Sequence, residues 1–196
     1  MENFAAMLPA IVALMLSPGP VTLTSAAFGA AYGWRAARLV LVMTAGTATI
    51  IVMVALGVFG LVTVIPGIEP VLMGLGGAYI LYLAWKIWQA PPATARQAGA
   101  AMPAALGVYL MALANPKAYA AMAALFSGFP LIEDDPLANG IVKSVTLISC
   151  ATTINLGWMS VGTALARVLS DPVRSRILNR FFAVLLVLSV AGMILL

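Results

Sequence analysis

Two short prolyl segments carry the chemistry that this chain can perform. Ser17-Pro18-Gly19-Pro20 interrupts one long apolar stretch, and Asn115-Pro116-Lys117 interrupts another 98 positions later. Pro18 and Pro20 have no N–H, so the carbonyls one turn earlier, on Leu14 and Leu16, lose their usual partners. Gly19 adds backbone freedom between them, and Pro20 suits the first position of a resumed helix. Pro116 is expected to free the carbonyl of Ala112 in the same way. Carbonyl oxygens at a half-helix end, beside N–H groups at a half-helix start, suit a zwitterion: carbonyls for the ammonium, helix N-termini for the carboxylate. The plainer reading is a kink that serves packing alone.

Lys117 is the sharpest single residue. A charge near the middle of a membrane span costs about 2.5–3.5 kcal/mol on insertion scales. Either its four methylenes lift the ammonium to an interface, or it pairs with a substrate carboxylate and links charge to occupancy. Asn155 is costly to bury and joins the candidate site. Ser17, Thr22, Thr24, Asn115, Thr152 and Thr153 form a second tier, since hydroxyls in membrane helices commonly bond their own backbone or a neighbouring helix.

The elements that must position these residues are membrane helices. Of 196 residues, 63% are hydrophobic and 8% charged, and the mean hydropathy is +1.09. Soluble domains carry roughly 25% charged residues, so the predicted fold class is an all-α integral membrane protein. Spans of about 20 apolar residues are expected near 5–30, 38–62, 68–88, 103–127, 138–166 and 178–195, with span two ending near Val62 to Ile65. Pro66-Gly67 and Pro70, Pro91-Pro92, Glu133-Asp134-Asp135-Pro136 and Asp171-Pro172 punctuate them. The start, Met1-Glu2-Asn3-Phe4, lacks the basic region of a secretory signal, so the first segment is expected to stay as a span.

Arg35, Arg38, Lys86, Arg96, Arg167, Arg174, Arg176 and Arg180 fall on one side of these spans. Lys143 goes with the other, acidic side, against Glu2, Glu69 and Glu133–Asp135. By the positive-inside rule both termini face out. Tyr32, Trp34, Trp85 and Trp88 fit an interfacial belt on the basic side. Three spans per half require the second half to run opposite to the first. The expectation is one transporter domain, 1–196, of six transmembrane helices in two inverted three-helix repeats (about 1–98 and 99–196), with helices 1 and 4 broken.

At these motifs the chain resembles the LysE/RhtB family of amino-acid exporters. The family's SPGP-type motif matches Ser17-Pro18-Gly19-Pro20, and its NPK-type motif matches Asn115-Pro116-Lys117-Ala118. The stretch Gly76-Gly77-Ala78-Tyr79-Ile80-Leu81-Tyr82-Leu83-Ala84-Trp85 is similar to a third family run. Two departures fall where substrate is read: Val21 in place of a common Asn, and Phe126-Ser127-Gly128-Phe129-Pro130 in place of Phe-Pro-Gln-Phe. The resemblance implies proton-coupled export of amino acids or related metabolites, by antiport, across a bacterial inner membrane. The substrate-binding residues are then Ser17, Pro18, Gly19, Pro20, Asn115, Pro116, Lys117 and Asn155.

Other functions fit less well. There is no histidine, which removes imidazole bases, His-ligated metals and histidine proton relays. A lone cysteine, Cys150, excludes a disulfide within the chain and is read as a small packing residue. An intramembrane hydrolase would need an activated nucleophile and base, and only Ser17 with Lys117 could supply one. No Walker-type loop points to ATP. No cofactor or metal is expected, and no nucleic-acid partner, because the basic residues lie in short inter-span loops. A proton carrier would have to be Glu69 or a member of the Glu133–Asp135 cluster dipping inward. The alternative function is a channel or passive facilitator lined by Lys117. Gly29 with Gly33, and the Gly74, Gly76, Gly77 cluster, permit close helix approach, with a homodimer interface as a second use.

Overall fold

A computed structural model of the chain describes residues 2–57, 68–89, 102–132, 134–168 and 171–195. All regular structure among them is helical, without strands. The expected end of span two, Pro66-Gly67, Pro91-Pro92, Arg96 and Glu133 lie outside the described residues.

The first apolar stretch is broken as its prolines require. Helix α1, Glu2–Ile11, passes into a π-helical turn, Val12–Leu16, and helix α2, Pro20–Tyr32, starts after the break. Ser17 (φ −58°, ψ 140°) and Gly19 (φ −167°, ψ 179°) are extended between them. Pro20 takes the first helical position, where a missing N–H costs nothing. A 3₁₀ turn, Gly33–Ala36, leads into α3, Ala37–Ala55. Gly33 has φ 59°, a left-handed conformation that a side chain disfavours.

Helix α4 spans Ile68–Trp88. The second break separates α5, Ala105–Leu113, from α6, Pro116–Gly128, and Pro116 again takes the first helical position. One expectation fails here: the carbonyl of Ala112 is not freed, because the N–H of Asn115 reaches it at 3.3 Å as the last turn of α5 tightens. Helices α7, Pro136–Val168, and α8, Pro172–Leu195, both follow an Asp-Pro pair. Asp135 accepts from the N–H of Ala138 at 2.9 Å, and Asp171 from those of Val173 and Arg174 at 2.9 and 3.1 Å. These caps explain why α8 begins six residues before the expected span.

Large apolar side chains face outward along the helices: Leu75, Leu106 and Val145 are 65%, 68% and 61% exposed. The runs Pro20–Ala55 and Pro136–Ala166 are long and apolar enough to cross a membrane. Inside, Phe28, Met43, Leu83, Met111 and Leu186 share one core, and Met7, Ile50, Ile51, Met122 and Leu125 a second. Helix α2 packs most extensively on α7. There the backbone of Gly29 meets Met159, and that of Gly162 meets Ala26. Gly29 is thus a packing device, as expected, whereas a Cβ on Gly74 would meet open space. At one end of the bundle, Arg180 lies 5.1 Å from the ring centre of Trp88, and Lys86 5.5 Å from that of Tyr82. Trp34 and Trp85 are exposed.

Lys143 lies in the early turns of α7, which starts beside Asp134-Asp135, and its side chain turns inward. It is fully buried within α7, and its ammonium donates to the carbonyl of Phe126 at 2.8 Å. That carbonyl lies in the last turn of α6, where helix C-termini attract cations.

Candidate functional site

The two breaks meet. Lys117, in the first turn of α6, reaches across to the first break and donates to three oxygens: Ser17 O at 2.8 Å, Ser17 Oγ at 2.8 Å and Pro18 O at 3.4 Å. An ammonium has three donors and no acceptor, so each N–H finds an oxygen. The Ser17 hydroxyl donates in turn to Leu14 O at 3.1 Å, which satisfies one of the carbonyls that the prolines release. The extended backbone at 17–19 is what aims the Ser17 and Pro18 carbonyls sideways, out of any helical ladder.

The break is held in shape by Thr22. Its Oγ1 accepts from the N–H of Gly19 at 2.9 Å and donates to Gly19 O at 3.1 Å. Gly19 lies directly beneath the lysine, because a Cβ there would come within 3.0 Å of Lys117 Cδ and Nζ.

Beside this contact lies a cavity of about 60 Å³. Leu14, Met15, Gly19, Pro20, Val21 and Thr22 line it from the first stretch, and Thr47 from α3. Asn115, Lys117, Ala118, Ala121 and Met122 line it from the second break, and Ala151, Ile154 and Asn155 from α7. Asn115 is 5% exposed, and its Oδ1 has no hydrogen-bond partner among the described residues. A buried acceptor left unsatisfied costs roughly 1–3 kcal/mol. It is therefore a group that a ligand would complete. Asn155 donates through Nδ2 to Thr44 Oγ1 at 3.1 Å, which ties α7 to α3 at the cavity wall.

Of the residues singled out by sequence, Gly19, Pro20, Val21, Thr22, Asn115, Lys117 and Asn155 line the cavity. Ser17 and Pro18 join it through the lysine, while Pro116 sits behind, as the start of α6. Thr152 and Thr153 bond carbonyls of their own helix, those of Ile148 and Ser149. Thr24 is buried in the core beside Met111. Thr47 was not anticipated; its spacing of three from Thr44 puts both on one face of α3, and that pattern alone pointed to it. Asp134 and Asp135 are exposed at the start of α7, away from the cavity. No cluster of His, Cys, Asp or Glu able to hold a metal occurs among the described residues.

Residues 12–195 match the family described as LysE type translocator. The chain belongs to the LysE-type translocators. As a member it is an integral membrane transporter rather than an enzyme. The chain is also 30% identical, over 176 residues, to proteins named cysteine/O-acetylserine efflux protein from Salmonella choleraesuis (strain SC-B67), Salmonella typhimurium (strain LT2) and Salmonella typhi. Each match covers 88% of this chain and 87% of the relative. No solved structure gives a significant match. Within this LysE-type translocator, both family-like motifs converge on one cavity, and Val21, a departure from the family's common pattern, lies in its wall.

Proposed function

We propose that this translocator exports small neutral amino acids or close derivatives from a bacterial cytoplasm across the inner membrane, driven by the proton gradient. Ser17, Pro18, Gly19, Pro20, Asn115, Pro116, Lys117 and Asn155 form the substrate site. The observation that carries this reading is the unpartnered Asn115 Oδ1 in a cavity bounded by two helix breaks. A buried acceptor beside carbonyl-rich backbone suits an ammonium, and the half-helix starts at Pro20 and Pro116 suit a carboxylate.

Size and charge narrow the class. A cavity of about 60 Å³ holds only a handful of waters at roughly 10–15 Å³ of such volume each. Met15, Met122 and Ile154 make part of its wall apolar. A basic amino acid would bring a second cation against Lys117. Cysteine, serine and O-acetylserine fit these limits, in line with the names of the relatives. The topology proposed with this function is six spans in two inverted repeats with both termini outside, because the basic residues cluster between spans as positive-inside sorting requires.

Efflux from preloaded cells tests the proposal. Cells expressing the chain should release cysteine, O-acetylserine or serine faster than control cells, and an uncoupler should abolish the difference. Lysine and leucine release should be unchanged. Equal release of every amino acid with and without the protein would refute export. Release that is faster but insensitive to the uncoupler and does not saturate would identify a passive facilitator.

A further inference from the structure

We propose that Lys117 is a built-in stand-in for the substrate's α-ammonium: it fills the carbonyl cradle of the first break when the site is empty and gives it up when substrate binds. This inference rests on the exporter reading above and assigns Lys117 a role within it.

The chemistry of the two groups is the same. A lysine Nζ and an amino acid's α-nitrogen are both –NH₃⁺, with three donors to place. The cradle formed by Ser17 O, Ser17 Oγ and Pro18 O offers three acceptors, and Lys117 occupies all three. In this state no N–H of Lys117 is left for a substrate carboxylate. Two ammonium groups cannot share the cradle, because they repel at contact distance and would divide three acceptors. Occupancy by substrate and by Lys117 is therefore exclusive.

The surroundings permit the exchange. Lys117 and Gly19 line the cavity while Ser17 and Pro18 do not, so the lysine stands between a ligand there and the acceptors it covers. The lysine chain rests across Gly19, where a Cβ would press on Cδ and Nζ; the missing side chain leaves the lane along which it withdraws. Once displaced, the ammonium withdraws along that lane, and the ligand's carboxylate goes to the half-helix starts at Pro20 and Pro116. The α-ammonium then sits in the cradle, and Asn115 Oδ1, unpartnered in the cavity wall, stays open to a further donor on the ligand.

This arrangement separates two steps of a transport cycle. An empty carrier must return with its buried carbonyls satisfied, and Lys117 does that. A loaded carrier has the substrate's own ammonium in their place. Removing the lysine should therefore impair the empty return and spare the loaded crossing.

The test uses purified protein in proteoliposomes, with serine or cysteine as probe, and compares wild type with Lys117→Met. Exchange of labelled against unlabelled substrate should persist in the variant, while net efflux into substrate-free medium falls at least about tenfold. The half-saturating concentration for exchange should fall about tenfold if Lys117 holds the cradle nine-tenths of the time. Parallel loss of exchange and net efflux in folded protein would overturn the proposal and make Lys117 a direct carboxylate ligand. Unchanged exchange and efflux would overturn it as well. If Lys117→Met does not fold, Lys117→Leu likewise removes the donors and should show the same split between exchange and net efflux. Wild-type vesicles without exchange of any amino acid would instead remove the exporter reading on which the proposal stands.

Discussion

Replacing Lys117 with alanine is expected to lower net amino-acid efflux about thirtyfold at matched membrane abundance, which corresponds to about 2 kcal/mol. The substitution leaves the Ser17 and Pro18 carbonyls and the Ser17 hydroxyl without the ammonium that joins them. Hydrogen bonds to charged groups contribute about 1.5–3 kcal/mol each. Lys117 is only partly buried, so water will recover part of the loss, and the expected effect stays near the value for a single bond. Lys117→Arg should not restore activity, because a planar guanidinium cannot direct three N–H groups into a cradle shaped for a tetrahedral ammonium. Initial efflux rates from preloaded cells, normalised to protein in the membrane, measure both variants.

A second large effect is expected on stability, at the crossing of α2 and α7. Gly29→Ala would drive its Cβ into the backbone of Met159, and Gly162→Ala into that of Ala26. The obstacles are carbonyls of the facing helix, not flexible side-chain ends, so the helices themselves must separate. Separation would also strain the bond from Thr163 Oγ1 to Gly29 O, 3.2 Å long. Close backbone approach is what holds helices together in lipid, and overpacking costs typically 1–3 kcal/mol. Each variant should lose about 3 kcal/mol, seen as a lower melting temperature in detergent and reduced abundance in the membrane. Gly157→Ala is the control, because a Cβ there meets nothing within 4 Å. It should melt within about 0.5 kcal/mol of wild type.

Much of this architecture was legible because proline leaves few choices inside an apolar helix. The positions of Pro18, Pro20 and Pro116 located both breaks to within a residue or two, and Asp135-Pro136 and Asp171-Pro172 marked the starts of α7 and α8. The membership of Gly19, Asn115 and Lys117 in one cavity followed the same logic, whereas Asn155 stood out as a polar side chain costly to bury in a span. Sequence did not reveal that the breaks bond to each other through Lys117. That contact joins residues a hundred positions apart and depends on how two half-helices are rotated in the bundle. Nor did sequence show that the Lys143 side chain turns inward to the carbonyl of Phe126 at the end of α6. The carbonyl of Ala112 found a partner through a tightened turn, a local adjustment that one proline does not specify. Thr47 stayed hidden because it lines the cavity while its hydroxyl bonds Met43 O of its own helix, and sequence shows neither.

The proposed binding of amino acid in the cavity between the two helix breaks is tested by thiol labelling, with Ala121→Cys placed in a Cys150→Ser background. Ala121 lines the cavity, and Ser127→Cys, exposed near the end of α6, serves as the reference. A transported amino acid at ten times its half-saturating concentration should slow labelling at position 121 about tenfold and leave position 127 unchanged. Equal labelling rates with and without the transported amino acid at position 121 would place its binding site elsewhere.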